Sequence, residues 1–72
     1  MNMERDVKIT TPYITLGQML KLANLIGNGG EAKGFLLIHE VKVNGEIDQR
    51  RGRKLYPGDE VLVLGEAYRI VS

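Results

Sequence analysis

A short basic segment carries the clearest chemical signal in this sequence. Arginine or lysine occupies four of the five positions in residues 50–54, in a chain whose formal net charge is only +1. Outside this segment the chain has six basic residues and nine acidic ones. Charge concentrated in this way suits contact with phosphate groups, but it is also found in solvated loops and beside strand edges that must not pair. The segment alone favours neither interpretation, so the surrounding elements must decide.

Few other side chains could support catalysis or bind a metal. Cysteine is absent, which excludes disulfides and thiolate metal sites, and one histidine cannot form a metal site by itself. His39 lies at the predicted end of a helix, where a cationic side chain suits the helix dipole, and is interpreted as structural. Asp48, Asp59 and Glu60 do not form a convincing acid–base pair. We therefore expect no catalytic residues, no metal and no cofactor.

The length and composition predict one globular domain over residues 1–72. Apolar residues make up 43% of the chain and charged residues 26%, which argues against a disordered tail. No apolar run approaches the roughly 18 residues that a membrane helix needs. The first six residues lack the apolar core of a signal peptide, so a cytoplasmic location is expected.

The first half of the chain predicts one strand and two helices. Residues 7–10 alternate between apolar and polar, as in a half-buried strand. Thr15 and Gln18 have the spacing of a capping box that begins a helix, and Gly27 is the predicted stop. A second helix is predicted over residues 31–39, where apolar side chains recur at helical spacing.

The second half predicts four short strands. Asn44-Gly45 is a strong hairpin signal because both residue types tolerate positive φ. Pro57-Gly58 predicts a type II turn, in which Asp59 bonds to nearby backbone, and a third turn is predicted at Gly65-Glu66. The expected architecture is therefore α+β, with two packed helices on a small antiparallel sheet of about four to five short strands.

The glycines before the second helix have two interpretations. Gly27, Gly29 and Ala32 formally match a dinucleotide fingerprint, which we reject because a helix precedes them instead of a strand. Gly29 and Gly30 could still receive a phosphate at the start of the second helix, where N–H groups are unpaired. Glu31 opposes that field, so a simple turn is the favoured interpretation.

The aromatic residues are scattered along the sequence. Tyr13, Tyr56 and Tyr68 are far apart, and Phe35 is expected in the core. This distribution argues against recognition of a nucleic acid by base stacking and favours recognition of its shape and backbone.

Three segments together resemble the S4-like RNA-binding domain, the small αL module that also occurs in pseudouridine synthases, tyrosyl-tRNA synthetases and heat-shock RNA-binding proteins. The segments are AKGFL at residues 32–36, VKVNGE at 41–46 and PGDEV at 57–61. The resemblance covers residues 15–63 and is closest to the short stand-alone bacterial members of the YaaA/YbcJ type. It implies that the αL helical pair and the adjacent hairpin form an RNA-facing surface.

The resemblance also implies site residues by position, with some departures. Helix 1 opens with Thr15-Leu16-Gly17 in place of the family's usual residues, and residues 28–31 replace the usual Ser-Arg before helix 2. Because of these departures, the basic segment is expected to supply more of the RNA contact. The expected RNA-binding residues are Lys33, Lys42, Asn44, Arg50, Arg51, Arg53 and Lys54, with Gly29 and Gly30 as a candidate phosphate-binding loop.

The expected function is that of a non-catalytic RNA-binding module. The resemblance implies rRNA or tRNA as the partner, in ribosome assembly or translation, with a ribosomal particle as a further candidate and no membrane partner. The alternative is a protein-interaction adaptor that uses a sheet edge or the helical pair. A β-grasp sulfur carrier is disfavoured because residues 70–72 are not the Gly-Gly end that such carriers require.

Overall fold

The computed structural model describes residues 4–72, which contain two α-helices, one 3₁₀ turn and seven strands. The helices are α1 (Leu16–Leu22) and α2 (Ala32–Ile38), and the 3₁₀ turn (Gly29–Glu31) directly precedes α2. The strands are β1 (Arg5–Lys8), β2 (Ile14–Thr15), β3 (Val41–Val43), β4 (Glu46–Ile47), β5 (Lys54–Leu55), β6 (Glu60–Val63) and β7 (Glu66–Val71). The predicted α+β class is confirmed.

Helix α1 begins where the sequence predicts it and ends earlier. The Gln18 N–H donates to Thr15 Oγ1 at 3.2 Å, and the Thr15 N–H donates to Gln18 Oε1 at 2.8 Å, so the predicted capping box is present. The predicted stop at Gly27 is wrong. The helix ends at Leu22, and Asn24 takes the left-handed conformation with φ 60°. Asparagine tolerates this region, so it ends the helix before the glycine is reached.

The connection between the helices is a capped turn. Asn28 Oδ1 accepts a hydrogen bond from the Gly30 N–H, and Glu31 Oε1 accepts bonds from the N–H groups of Gly27 and Asn28. The second helix is one residue shorter at each end than predicted. Residues 29–31 form the tighter 3₁₀ turn, and His39 is already extended.

Five strands form one sheet in the order β1-β7-β6-β3-β4. The pairs are antiparallel except β1 and β7, so the sheet is mixed where the sequence predicts an antiparallel one. Strand β1 also begins two residues before the predicted strand, and Ile9 extends its pairing by donating its N–H to the Val71 carbonyl at 2.8 Å. The chain between β1 and β7 runs through both helices and the other strands. No local sequence pattern therefore indicates that these two strands are parallel.

Tight turns connect the hairpins of this sheet. Asn44 (φ 52°) and Gly45 (φ 87°) both have positive φ, which confirms the predicted turn between β3 and β4. The turn between β6 and β7 consists of Leu64 (φ 52°) and Gly65 (φ 76°), so the predicted Gly65-Glu66 turn is wrong by one residue. Leucine rarely adopts positive φ, which is why the pattern does not indicate it.

The turn before β6 is the predicted one, and it is linked to the β3–β4 hairpin. Gly58 has φ 98°, the Asp59 N–H donates to the Tyr56 carbonyl at 2.9 Å, and Asp59 Oδ2 accepts the Tyr56 N–H at 2.8 Å. The Asn44 side chain donates to Asp59 Oδ1 at 3.1 Å and accepts the Glu60 N–H at 3.0 Å. The Asn44 amide therefore has a structural role.

A second, two-stranded sheet joins β2 to β5. Ile14 lies opposite Leu55, and Thr15 lies opposite Lys54. Strands of two residues show no readable alternation, so the sequence does not predict this pairing. It fastens the segment before α1 to the end of the basic segment.

The two helices cover one face of the five-stranded sheet. The buried side chains of α1 and α2, such as Leu20 and Leu36, form one core with inward-facing valines of β3 and β6. Because side chains alternate along a strand, Lys42, Ile47 and Leu62 lie on the opposite face. Ile47 is 60% exposed and Leu62 is 43% exposed, so neither helix within residues 4–72 covers that face.

Candidate nucleic-acid interface

The basic segment belongs to an ordered loop, residues 48–54, which we call the basic loop. It contains four cationic residues and one carboxylate, a net charge of +3. The carboxylate, Asp48, is only 7% exposed and is the one buried charged residue within the part of the chain that the structure describes. The Asp48 N–H donates to the Val41 carbonyl at 2.9 Å, which attaches the loop to β3.

Asp48 organises the loop through two of its arginines. Arg50 donates its Nε and Nη2 to the two carboxylate oxygens at 3.0 and 2.8 Å, and Arg53 donates Nη1 to Oδ2 at 2.8 Å. The Arg50 N–H also bonds to Asp48 Oδ1. The side-chain bonds from Arg50, together with the backbone bond and Arg53, hold the pKa of Asp48 well below its ordinary value, although burial opposes this shift.

The two arginines differ in what they can still contact. The Arg50 side chain is 71% exposed, and its own pKa is raised by the bonds to Asp48. The Arg53 side chain is only 30% exposed. Arg50 therefore presents its outer edge to solvent, whereas Arg53 mainly holds the loop together.

The middle of the basic loop is attached to the start of α1. The Leu16 N–H donates to the Arg53 carbonyl at 2.8 Å, and the Gly17 N–H donates to the Arg51 carbonyl at 2.9 Å. Gly17 is buried, and a Cβ there would lie 3.3 Å from the Ala32 Cβ and 3.4 Å from the Arg51 carbonyl oxygen. The glycine therefore allows α1, α2 and the basic loop to approach closely.

A shallow groove of about 320 Å³ marks this junction. Its lining residues come from the start of α1, the turn before α2 and the basic loop: Thr15, Gly17, Gln18, Gly29, Ala32, Arg51 and Gly52. The Arg51 side chain is exposed, and among residues 4–72 it has no ion pair and no side-chain hydrogen bond. Arg51 is thus the arginine of the loop that is most available to an outside anion.

Lys54 lies at the end of the loop beside two tyrosines. Its Nζ is 5.0 Å from the centroid of the Tyr13 ring, and the Tyr13 and Tyr56 ring centroids are 5.7 Å apart. The interpretation that the aromatic residues are scattered is therefore wrong for this pair. The β2–β5 pairing brings them together although they are distant in the sequence.

The two lysines outside the loop have different positions. Lys33 is exposed in the first turn of α2, next to the buried Ala32 at the edge of the groove. Lys42 lies on the uncovered face of the sheet, 3.8 Å from a carboxylate oxygen of Glu40. The residue next to Lys33 thus lines the groove, whereas Lys42 lies away from it.

The N–H groups of the glycine-rich turn are largely occupied by its own side chains. The Gly30 N–H bonds to Asn28 Oδ1 at 2.9 Å, and Glu31 accepts the two preceding N–H groups of Gly27 and Asn28. The Glu31 carboxylate also adds a negative charge there. This arrangement fits the simple turn favoured from the sequence, while Gly29 contributes to the groove lining.

His39 packs in the manner expected of a structural residue. Its ring centroid is 4.5 Å from the ring centroid of Phe35, and its backbone N–H donates to the Phe35 carbonyl at 2.9 Å. Phe35 is half-buried against the core. Among the residues from 4 to 72, no cluster of three or more histidine, cysteine, aspartate or glutamate side chains could hold a metal ion.

Sequence reasoning missed Asp48 and the tyrosine pair as parts of this surface. Asp48 does carry a local signal, because an aspartate two residues before Arg50 can accept its N–H in an Asx-type turn. Tyr13 and Tyr56 carry no such signal, since only the tertiary pairing of β2 with β5 makes them neighbours.

Comparison with known proteins assigns the chain to a family. The S4 domain family matches residues 7–71, which is nearly the whole chain. The chain belongs to the S4 domain family. The family assignment confirms the resemblance inferred from the three sequence segments.

Two bacterial relatives are similar over most of their length. The "Probable ribosome maturation protein RlbA" of Bacillus subtilis (strain 168) is 59% identical over 63 residues, covering 88% of this chain and 89% of the relative. The "Putative RNA-binding protein YbcJ" of Escherichia coli (strain K12) is 30% identical over 61 residues, covering 85% of this chain and 87% of the relative.

Neither helix of this S4 domain, within residues 4–72, is long and apolar enough to cross a membrane.

Proposed function

We propose that this chain is a non-catalytic RNA-binding module that contacts structured RNA through the basic loop and the adjoining start of α1. The observation that carries the proposal is the basic loop itself. The loop has a net charge of +3, is hydrogen-bonded to the start of α1 and leaves Arg51 exposed. Membership of the S4 domain family and the names of the two relatives support it. An rRNA within a maturing ribosomal particle is the proposed partner, and tRNA is the alternative.

The geometry of the loop suits phosphate binding for two reasons. An arginine fork can bind a phosphate through two parallel hydrogen bonds, which a lysine cannot do. The bonds that Asp48 accepts from Arg50, and those that Leu16 and Gly17 donate to the loop, hold it in place before any ligand arrives. Ordering the loop then costs little on association, so more of the phosphate attraction is available as affinity.

The proposed contacts follow from exposure and position. Arg50, Arg51 and Lys54 would contact phosphates directly, and Lys33 would extend the surface across the groove. Arg53 would act by holding the loop. Lys42 and Asn44 are not part of this proposed surface, because Lys42 lies on the other sheet face and the Asn44 amide bonds to Asp59 and Glu60.

The test is the salt dependence of binding to an rRNA hairpin. Replacing Arg51 by alanine should weaken binding and reduce the slope of log affinity against log salt by about one, since one phosphate contact is lost. Arg5→Ala is the matched control. It removes the same charge from β1, at the sheet edge opposite β4, where Arg5 pairs with Glu66 at 3.0 Å.

Arg5→Ala should leave both the affinity and the slope close to those of the unmodified chain. Equal slopes for the unmodified chain and Arg51→Ala would contradict the assignment of Arg51. Binding of the unmodified chain that does not depend on salt would contradict phosphate recognition as a whole.

A protein-interaction adaptor is the second candidate, and exposed apolar side chains favour it. Leu37 and Ile38 on α2 are 68% and 78% exposed, and Ile47 at the β4 edge is 60% exposed. An apolar interface should persist at a few hundred millimolar salt, whereas phosphate contacts weaken steeply. Pull-downs from the same lysate at two salt concentrations, with and without ribonuclease, distinguish the two functions.

A further inference from the structure

Two tyrosines form an exposed aromatic pair at one end of the basic loop. The rings of Tyr13 and Tyr56 lie at 47° to each other, and the residues are 39% and 49% exposed. The third tyrosine, Tyr68, is 5% exposed and belongs to the core. Tyr13 and Tyr56 are not among the buried core residues, so part of each residue is accessible to a ligand.

The charge next to this pair is positive. Lys54 Nζ lies 5.0 Å from the Tyr13 ring centroid, within the range of a cation–π contact. Lys54 has no ion pair with any carboxylate among residues 4–72, and the three arginines of the basic loop directly precede it in the sequence. An aromatic surface beside exposed cations is complementary to a nucleotide, which offers a flat base and an anionic phosphate together.

Tyr13 also lines a groove that could accept the edge of a base. The groove has a volume of about 890 Å³ and lies between the segment before β2 and the outer side of α1. Its lining includes the polar side chains of Gln18 and Asn24 and the cationic Lys21. The Gln18 Oε1 accepts the Thr15 N–H in the capping box, while its NH₂ group can still donate to a ligand.

We propose that the Tyr13–Tyr56 pair is a stacking subsite for an unpaired nucleobase of the bound RNA. This inference rests on the proposed RNA-binding function and deepens it. The basic loop contacts phosphates regardless of sequence, and the tyrosine pair selects RNA in which a base is unstacked, as in a hairpin loop or a bulge. Lys54 then binds the phosphate of the nucleotide whose base is stacked.

The probes are two RNAs with equal numbers of nucleotides, one a hairpin with an unpaired loop and the other a blunt duplex. The unmodified chain should bind the hairpin about 5- to 150-fold more tightly, the range expected from stacking one base. The double variant Tyr13→Leu, Tyr56→Leu should bind both RNAs with the affinity that the unmodified chain has for the duplex. Its salt slope should stay close to that of the unmodified chain, because all cations of the basic loop, Lys54 included, remain to contact phosphates.

Three controls accompany this variant. Tyr13→Phe with Tyr56→Phe keeps both rings and should keep the preference for the hairpin. Leu62→Ala removes apolar surface from the uncovered sheet face, where Leu62 is 43% exposed, and should change neither affinity. Urea unfolding checks that each variant is folded, and Tyr56→Leu alone replaces the double variant if that one unfolds.

Tyrosine fluorescence gives an independent measurement, because the chain contains three tyrosines and no tryptophan. Stacking on Tyr13 or Tyr56 should quench the emission when the hairpin is added, and the duplex should quench it less. Equal affinity of the unmodified chain for both RNAs, or an unchanged preference in the folded leucine variant, would overturn the subsite. Both results leave salt-dependent binding intact, so they differ from a failure of the proposed function, in which neither RNA binds in a salt-dependent manner.

Discussion

At the scale of single residues, Asp48 determines the form of the basic loop. A buried carboxylate is costly unless it is paired, and Asp48 accepts three side-chain bonds from Arg50 and Arg53. Like charges in the loop would otherwise repel one another. The carboxylate therefore offsets that repulsion and leaves a defined surface on which Arg51 is exposed.

Asp48→Asn should lower the free energy of unfolding by about 1–3 kcal/mol at neutral pH, because charged donors lose their acceptor. The pKa of Asp48 is depressed by its bonds to Arg50, so its stabilising contribution is fully present above the unfolded-state pKa of about 3.9. That contribution is lost as the pH falls through the lower folded-state pKa. The difference between the two proteins should therefore narrow below about pH 4.

Urea unfolding at pH 7 and at pH 3 measures this difference. Glu46→Gln, which changes an exposed carboxyl group in β4, is the control and should alter stability by less than about 0.5 kcal/mol. Equal losses for the two variants, or a gap that does not depend on pH, would contradict the role assigned to Asp48.

At the scale of elements, the first turn of α1 is the junction of the proposed surface. Gly17 donates its N–H to the basic loop, and a Cβ at this position would lie only 3.3 Å from the Ala32 Cβ in α2. The approach of three elements to one glycine explains how two helices of seven residues each can position a loop.

Gly17→Val should destabilise the domain by about 1–3 kcal/mol, because its extra carbons have no room against Ala32 and Arg51. It should also weaken binding to the rRNA hairpin by displacing the loop. Gly34→Ala is the matched control in α2. A Cβ at Gly34 meets no atom within 4 Å, so alanine should stabilise the helix by about 0.5–1 kcal/mol and leave RNA affinity unchanged.

Chemical denaturation measures the stability of the two glycine variants, and RNA titration measures their affinity. A Gly17→Val protein as stable as the parent, with unchanged affinity, would show that the junction can relax and that close approach is not required.

At the scale of the whole molecule, stability depends on one core beneath one covered sheet face. Ile70 is fully buried in β7, the strand that pairs with both β1 and β6. A chain of this size has a total stability of about 4–11 kcal/mol, so a single core substitution removes a large share of it.

Ile70→Ala should cost about 2–5 kcal/mol, through lost apolar burial and the cavity that remains. Ile38→Ala is the matched control, because Ile38 is 78% exposed and should change stability by less than about 0.5 kcal/mol. Thermal and urea unfolding compare them. Similar losses at both positions would mean that Ile38 is buried in solution, as in an oligomer.

Local features were predictable from the sequence because their causes lie within a few residues. The capping box at Thr15 and Gln18 and the Asn44-Gly45 turn depend on hydrogen bonds and φ preferences of neighbouring residues. The end of α1 was not predicted, because Asn24 and Gly27 can both take the left-handed conformation and the pattern does not choose between them.

By itself, the sequence determined the α+β class, the family and the concentration of positive charge in residues 50–54, because all three are properties of residue order. Only the tertiary structure decided how that charge is presented. The buried Asp48 carboxylate binds Arg50 and Arg53, whereas Arg51 stays exposed. The β2–β5 pairing places Tyr13 beside Tyr56. These contacts join residues that local preferences do not connect, so packing of the whole chain is required to bring them together.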